Sequence, residues 1–311
     1  MNLLITGGAG FIGSHFVRAV LADRLPGLEG ASVTVLDKLA YGGSLAALGL
    51  VAESKRLDFV PADAVDAPVV EAALRGHDAV VHFASAGAAS DVAGVQVLLE
   101  AARRHDVARF LHVSTGDVYG SIDTGAWAER APLAPTTPEA AGKAGADLMA
   151  LAYHRTHGLP VVVTRCSDNY GPYQHPGRTV PRLVTSLLDG RAAALSGDGG
   201  RVRDWLHVDD HCHGIALALT AGRPGEIYHI AGSVELAERD LTELILAEFG
   251  LGWEHVATVP DGRTTDHRRA LDDDKIRREL GWRPHVEFTA GLAATIDWYR
   301  ANPTWWRPLL S

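Results

Sequence analysis

The fold of this chain is decided by its first residues, which read Leu3-Leu4-Ile5-Thr6-Gly7-Gly8-Ala9-Gly10-Phe11-Ile12-Gly13. An apolar run of strand length leads into a glycine turn, and residues 14–21 continue with the apolar spacing of a helix. Such glycines permit a tight turn, a close backbone approach to a pyrophosphate and close packing of helix on strand. We therefore predict a dinucleotide site whose binding residues include Gly7, Gly10, Phe11, Ile12 and Gly13.

The acidic residues that follow the next two apolar runs indicate which dinucleotide is bound. The run 33–36 ends at Asp37, whose carboxylate can accept hydrogen bonds from a ribose and repels a 2′-phosphate, so we expect NAD rather than NADP. A structural βαβ turn with a chance acid is the alternative. Asp63, after the run 57–60, is placed to reach the adenine, although an N-cap of the following helix explains it equally well.

Apolar runs of strand length alternate with longer segments of helical period over the first half of the chain; the further strands are 79–83, 110–114 and 161–164. Because these runs are apolar throughout, we expect a parallel sheet covered on both faces. The fold class is thus α/β, a Rossmann-type doubly wound sheet (residues 1–165) with a smaller C-terminal substrate-binding α/β region (166–311) that returns some segments to the first domain. We predict later helices at 92–104, 179–189, 239–249 and 289–300.

Composition and charge narrow the class of protein. The chain has 311 residues, of which 47% are hydrophobic and 22% charged, as in ordinary soluble globular proteins. Its formal net charge of -9 gives no general attraction to nucleic acid or anionic membranes, so we expect neither as a partner. Cys166 and Cys212 are too few for a disulfide framework, and the first residues do not read as a signal peptide, so we expect a cytoplasmic protein.

Five further segments carry a family resemblance. They are Asp37-Lys38-Leu39-Ala40-Tyr41-Gly42-Gly43, Val113-Ser114-Thr115-Gly116-Asp117-Val118-Tyr119-Gly120, Asp168-Asn169-Tyr170-Gly171-Pro172-Tyr173, Arg203-Asp204-Trp205-Leu206-His207-Val208-Asp209-Asp210-His211 and Asp266-His267-Arg268-Arg269. Over nearly its whole length the chain resembles dTDP-glucose 4,6-dehydratases, which belong to the nucleotide-sugar epimerase/dehydratase type of extended short-chain dehydrogenase/reductases. The resemblance implies a bound NAD that takes hydride from C4 of the sugar, loss of water across C5 and C6, and return of the hydride to C6.

The first catalytic position departs from that family. The family's base is a tyrosine four residues before a lysine that lowers its pKa and touches the nicotinamide ribose, and here Glu139 precedes Lys143 at that spacing. The resemblance implies that Lys143 keeps its role. Glu139 is either an altered base or a residue that merely starts a helix after Pro138, where an acid is favourable.

Two further departures concern the sugar. Where the family has Thr-Asp-Glu, this chain has Thr115-Gly116-Asp117, so the acid that protonates the departing hydroxyl is absent. The resemblance implies that Thr115 bonds the sugar's O4 and that Asp117 could serve as a base. The alternatives are a loop glycine with positive φ and an aspartate that bonds local backbone. In addition, residues 82–85 are followed almost at once by the next helix, so part of the usual sugar pocket is missing.

The resemblance assigns the remaining site residues. Cofactor contacts are implied for Lys38, Phe83, Ala84, Ser85 and Cys166, and contacts with the nucleotide sugar for Asn169, Arg203, His267 and Arg268. Asn169 could equally hold its own turn, and the arginines could form ion pairs at the surface or between domains. His207, His211 and His213 have a spacing found in metal sites, but we expect packing and no metal. A homodimer is implied by the resemblance alone.

These observations favour an NAD-dependent enzyme that acts on a nucleotide-linked hexose through a transient 4-keto sugar, with Glu139 or Asp117 transferring protons. Epimerisation, reduction and a modified dehydration remain open, and Gly116 favours a reaction without loss of water. One alternative is a catalytically silent protein that binds NAD and a nucleotide. Another is non-redox chemistry on a different small molecule, with NAD kept as structure.

Overall fold

The computed structural model describes residues 1–40, 43–85, 87–260 and 266–310. Its strands are β1 (Asn2–Thr6), β2 (Ser32–Leu36), β3 (Leu57–Val60), β4 (Ala79–His82), β5 (Arg109–Thr115), β6 (Val161–Cys166), β7 (Asp168–Tyr170), β8 (Ala193–Ser196), β9 (Val202–His207), β10 (Ile227–Ile230), β11 (Val234–Ala237), β12 (Val256–Val259) and β13 (Arg268–Arg269). Its α-helices are α1 (Phe11–Leu21), α2 (Ala67–Ala73), α3 (Ala88–Arg104), α4 (Pro138–His157), α5 (Thr179–Leu188), α6 (Val208–Ala221), α7 (Glu238–Phe249), α8 (Asp274–Leu280), α9 (Phe288–Ala301) and α10 (Pro303–Trp306). Residues 41 and 42 of the segment 37–43 lie outside the described residues.

Seven parallel strands form the central sheet, in the order β10-β6-β5-β4-β1-β2-β3. This order confirms the predicted doubly wound α/β fold, and the predicted strands agree with the observed ones to within two residues. Strand β10 comes from the C-terminal half of the chain and pairs with β6. The second half therefore completes the first sheet as well as forming its own layer.

Helices cover both faces of this sheet because alternate residues of each buried strand point to opposite sides. On one face, Leu3 and Ile5 belong to a core that includes Phe16 of α1 and Ile215 of α6. On the other face, Leu4 belongs to a core that includes residues of α3 and α4. Both faces are apolar, which explains the uniformly apolar strand sequences.

The C-terminal region contains a second sheet, in which β9 lies between β11 and β13 and also pairs with β7. Its core joins α5, α7 and α9, and Trp306 is buried there. The Trp298 ring lies 4.4 Å from the Tyr173 ring, so Trp298 and Trp306 both pack within this region. In the part of the chain that the structure describes, no helix is long and apolar enough to cross a membrane.

Helix α3 differs from its prediction, because it begins at Ala88 and not at residue 92. The short connection after β4 brings its first turn directly against α4. A Cβ placed on Gly142 would lie 2.4 Å from the Ala88 Cα, so only glycine allows this approach. The contact lies next to Lys143 in sequence, and it carries the start of α3 to the edge of the predicted cofactor site.

Candidate functional site

The glycine turn after β1 has the backbone geometry that was predicted for it. Gly7 has a φ of 72°, and its N–H donates to the Leu36 carbonyl at 3.0 Å. A Cβ on Gly13 would lie 2.2 Å from the Gly7 oxygen, so α1 packs on the turn only without a side chain there. Phe11 and Ile12 form the first helical residues, which directs free N–H groups of α1 toward the turn.

Asp37 organises the loops around this turn. Its Oδ2 accepts a hydrogen bond from the Ala9 N–H at 3.0 Å, and its Oδ1 accepts one from the Leu39 N–H at 2.8 Å. Lys38 forms an ion pair with Asp63 at 2.7 Å, and this hydrogen bond lowers the pKa of Asp63. The N-cap alternative for Asp63 is wrong, because Asp66 caps α2 by accepting from the Val69 N–H.

These residues line one open groove at the carboxyl ends of β1, β2 and β4. Its lining includes Gly7, Gly10, Leu36, Asp37, Lys38, Ala40, Gly43, Ala62, Asp63, Ala64, His82, Phe83, Ala84, Ser85, Ser90, Asp91 and Gly94. The structure thus brings most of the predicted cofactor residues together.

Lys143 is linked to this groove by Asp91, a residue to which the sequence analysis assigned no role. Its Nζ lies 3.9 Å from Oδ2 of Asp91, which also accepts a hydrogen bond from the Ser85 hydroxyl at 2.9 Å. Asp91 is only 4% exposed, and it stands in the first turn of α3. A buried acid within an amphipathic helix is the sequence signal that could have identified Asp91. The predicted helix, however, begins at residue 92, one residue after Asp91.

Glu139 occupies the first turn of α4 and is exposed. The helix is capped by Thr137, whose hydroxyl accepts from the Ala140 N–H at 3.1 Å, and Pro138 follows the cap. An acid in this turn interacts favourably with the helix dipole. This placement matches the second alternative, in which Glu139 starts the helix.

At the end of β5, the alternative that Gly116 needs positive φ is wrong, because Gly116 is absent from the positive-φ glycines of the described chain. A Cβ there would lie 3.2 Å from both methyl carbons of Leu271, a tight contact that a shift of the Leu271 side chain would have to relieve. Thr115 accepts a hydrogen bond from the Asp117 N–H at 3.2 Å, which holds the turn that follows the strand.

Asp117 lines a second, smaller cavity at the same edge of the sheet. Its lining comprises Gly116, Asp117, Trp127, Cys166, Ser167, Asp168, Asp204, Arg269, Ala270 and Leu271. Arg269 forms ion pairs with Asp117 and, at 3.1 Å, with Asp168. We call these three residues, together with Arg203, the charge cluster, because the Arg203 Nε lies 3.6 Å from the Asp168 Oδ2.

Burial perturbs the charge cluster. It lowers the pKa of the Arg269 guanidinium to about 10. It also raises the pKa of Asp168 to about 6, with the neighbouring Asp204 adding to the effect and Arg203 opposing it. Burial likewise raises the pKa of Asp204 to about 6. Perturbed groups of this kind often occur in functional sites.

Arg269 lies in the sequence motif 266–269, in which a contact with the nucleotide sugar is predicted for its neighbour Arg268 and not for Arg269. The Arg268 guanidinium forms two bonds with Glu235, at 2.8 and 2.9 Å, and is directed away from the cluster. The surface ion pair that was the alternative for Arg268 is therefore the arrangement found. The side chain of His267 is exposed.

The Asn169 side chain is engaged locally. It donates to the Ser167 carbonyl at 2.9 Å and lies 3.0 Å from the His211 Nδ1, so it holds its own turn. Cys166 is buried, and it lines the smaller cavity and not the groove. Burial raises the pKa of this thiol to about 12.

The predicted packing role of the histidines near α6 agrees with their contacts. The His207 Nδ1 accepts from the Asp209 N–H and caps α6, and the His213 ring packs against the His285 ring at 5.2 Å. His211 is buried beside Asn169, and burial lowers its pKa to about 3. These imidazoles point to separate partners.

Comparison with known proteins identifies relatives along the whole chain. Residues 4–295 match the family described as GDP-mannose 4,6 dehydratase. The chain is 51% identical to a dTDP-glucose 4,6-dehydratase of Streptomyces niveus, over 100% of this chain and 96% of that protein. It is 53% identical to one from Streptomyces antibioticus, over 99% of this chain and 95% of the relative.

Solved structures of two dTDP-glucose 4,6-dehydratases are also similar to this chain. The dTDP-glucose 4,6-dehydratase DesIV of Streptomyces venezuelae, solved with NAD bound, has a TM-score of 0.97 and 52% identity, covering 99% of this chain and 100% of that one. An enzyme of the same name from Bacillus anthracis, in complex with NAD, has a TM-score of 0.95 and 40% identity, covering 99% of both chains. The chain therefore belongs to the nucleotide-sugar dehydratase family that the GDP-mannose 4,6 dehydratase description covers, together with these dTDP-glucose 4,6-dehydratases.

Proposed function

We propose that this protein is an NAD-dependent enzyme of the dTDP-glucose 4,6-dehydratase type, which acts on a dTDP-linked hexose through a transient 4-keto sugar with an altered set of proton-transfer residues. The observation that carries the proposal is the placement of two sites at one edge of the sheet. The groove with Asp37 and Lys143 adjoins the ends of β1, β2 and β4; Thr115 ends β5, the next strand, and Asp117 follows it.

The groove fits NAD on the chemistry of its lining. The glycine turn leaves room for a pyrophosphate beside the N-terminus of α1, and Asp37 stands where a ribose would be held. Lys143, fixed by Asp91, would contact the nicotinamide ribose. Bound NAD would supply a hydride acceptor that returns the hydride to the sugar later.

Residues of this chain would bind the substrate and transfer its protons. Thr115 would hold the sugar's O4 by a hydrogen bond, and Asp117 would accept a proton. Asp117 is the better candidate base, because it lines the smaller cavity, whereas Glu139 is exposed on a helix end. Arg203 and Arg269 would bind the diphosphate, since arginine forks suit phosphate oxygens.

A second candidate is an epimerisation or reduction of the same class of substrate without loss of water. It is favoured by Gly116, which has no side chain to protonate a leaving hydroxide, and by Leu271, whose methyl groups fill the adjoining space. The high identity with named dehydratases favours the first candidate.

Mass spectrometry separates the candidates. The purified protein is incubated in heavy water with dTDP-glucose and, separately, with dTDP-4-keto-6-deoxyglucose. Loss of water from dTDP-glucose supports dehydration. Hydrogen gain in the keto sugar when NADH is supplied, deuterium uptake in it without NADH, or a new epimer of dTDP-glucose seen by NMR supports the second candidate. None of these changes, with NAD and dTDP still bound, would overturn both and leave a silent binding protein.

We also propose that the enzyme is a cytoplasmic homodimer paired through α3 and α4. These helices pack on each other, and Leu148 of α4 is 55% exposed. Light scattering on a sizing column should give about twice the 33.1 kDa chain mass, and Leu148→Glu should give the monomer. A monomeric wild-type protein would contradict the assembly.

A further inference from the structure

We propose that Arg269 is a shared arginine, which holds Asp117 in the absence of substrate and passes to the diphosphate when a nucleotide binds, so that Asp117 becomes a free proton acceptor only in the occupied site. This inference rests on the proposed function, because it takes the diphosphate as the incoming anion. Arg269 thereby binds the diphosphate in the occupied site and pairs with Asp117 in the empty one.

The geometry of the charge cluster carries the proposal. Two carboxylates from different strand ends, Asp117 after β5 and Asp168 in β7, meet on the single guanidinium of Arg269. Asp168 also faces Arg203, so charges alternate in the order Arg203, Asp168, Arg269 and Asp117. The predicted phosphate residue at one end is thereby linked to the candidate base at the other.

Arg269 has spare capacity for another acceptor. Its side chain is 17% exposed, and within the described residues its buried Nε finds no hydrogen-bond partner. Arginine presents five donors in a rigid fork, and a diphosphate offers more charge and more acceptor oxygens than one carboxylate. An anion at this position therefore competes directly with Asp117.

Arg203 is positioned by backbone contacts to bind the same anion. Its guanidinium donates to the Asp266 carbonyl at 3.0 Å and the Val202 carbonyl at 2.7 Å, which fixes its position beside Asp168. A carboxylate in an ion pair is a weaker proton acceptor than a free one, because the cation stabilises its charged form. Release of Asp117 by a diphosphate therefore couples base strength to occupancy of the site.

The test is a double-mutant cycle on binding of dTDP, measured by calorimetry at pH 8 without turnover. Asp117→Asn removes the competing charge and should tighten dTDP binding about tenfold. Arg269→Gln should weaken binding, and in that background Asp117→Asn should have no effect. Arg269→Lys keeps the charge and should retain part of the Asp117→Asn effect. Glu279→Gln, which removes a surface partner of Arg223, is the control and should leave the affinity unchanged.

The outcomes separate this inference from the proposed function. If the wild type binds dTDP and Asp117→Asn binds it no more tightly, the shared-arginine proposal fails and the nucleotide-sugar function stands. An equal effect of Asp117→Asn with and without Arg269 also overturns the proposal. If the wild type does not bind dTDP, both fail. Should Arg269→Gln not fold, the comparison is made in the Arg269→Lys background.

Discussion

The cofactor groove lies at the carboxyl edge of the central sheet, whereas the charge cluster lies between the end of β5 and strands β7, β9 and β13 of the second sheet, and the two are built by different means. The groove is shaped by backbone packing, as at Gly13, and by short-range hydrogen bonds such as that from Ala9 to Asp37. The cluster is assembled by side chains from distant segments, with Asp117 and Arg269 more than 150 residues apart. Backbone packing tolerates almost no change, whereas ion pairs can exchange partners.

The groove and the cluster also differ in how their surroundings shift the pKa values of carboxyl groups. In the groove, Lys38 and Asp63 form an ion pair that lowers the pKa of the carboxyl group. In the cluster, burial raises the pKa of Asp168 to about 6 in spite of nearby arginines. The charges of the cluster are therefore poorly solvated without a ligand. Binding of an anion should alter the electrostatics of the cluster more than those of the groove.

The largest effect is expected in the groove, from Gly13→Ala. The new Cβ would meet the Gly7 oxygen at 2.2 Å, and backbone cannot move aside as a side chain does. We expect a loss of about 3 kcal/mol in the free energy of unfolding, or an equivalent loss of about a hundredfold in NAD affinity. Thermal unfolding and fluorescence titration with NAD measure the two quantities.

Gly10→Ala is the matched control for folding. Its nearest neighbouring atom, the Gly7 oxygen, would lie at 3.3 Å, and its φ of -76° is open to alanine. The variant should unfold within about 1 kcal/mol of the wild type. If Gly13→Ala were as stable as Gly10→Ala and bound NAD normally, the groove would not be built by backbone packing.

The next effect lies in the cluster and compares the two candidate bases. Asp117→Asn should lower turnover of the dTDP sugar about a hundredfold, because it removes the proton acceptor at the end of β5. Glu139→Gln should change turnover less than about threefold, since that side chain is exposed at a helix start. The reverse result in steady-state kinetics would assign the base to Glu139.

Sequence alone predicted the groove far better than the cluster. The glycine turn, Asp37 and the positions of the strands follow from local patterns of period and spacing, and the structure places the turn and Asp37 in one groove. The role of Glu139 stayed open, because a helix start and a base demand similar local sequences. Its capped, exposed position could be found only in three dimensions.

Asp117 and Arg203 were predicted as site residues, but the place of Arg269 in the cluster escaped prediction for a physical reason. Arg268 and Arg269 are adjacent in an extended segment, so their side chains point to opposite sides, and no local pattern tells which side faces the cavity. Arg268 pairs with Glu235 and Arg269 enters the cluster. Likewise, the space around Gly116 is limited by Leu271, a residue far along the chain.

A smaller effect tests the link between the groove and catalysis. Asp91→Asn removes the charge that faces Lys143 while an amide oxygen can still accept from Ser85. We expect kcat to fall about tenfold with little change in KM for the dTDP sugar, because the lysine loses its fixed position. Glu100→Gln on the same helix is the control. A fall in thermal stability with kcat unchanged would make Asp91 merely structural.

The smallest effect separates the two regions by pH. As the pH falls from 7.5 to 5.5, Asp168, with a pKa of about 6, takes up a proton and no longer competes for Arg203 and Arg269. Binding of dTDP-glucose, whose esterified phosphates keep their charge in this range, should therefore tighten about threefold, a modest change because Asp168 is partly exposed. NAD affinity should stay constant, since the groove lies apart from Asp168. In Asp168→Asn the pH dependence of dTDP-glucose affinity should shrink to what Asp204, whose pKa is also raised to about 6, contributes, and a pH dependence of unchanged size would place the titrating group outside the cluster.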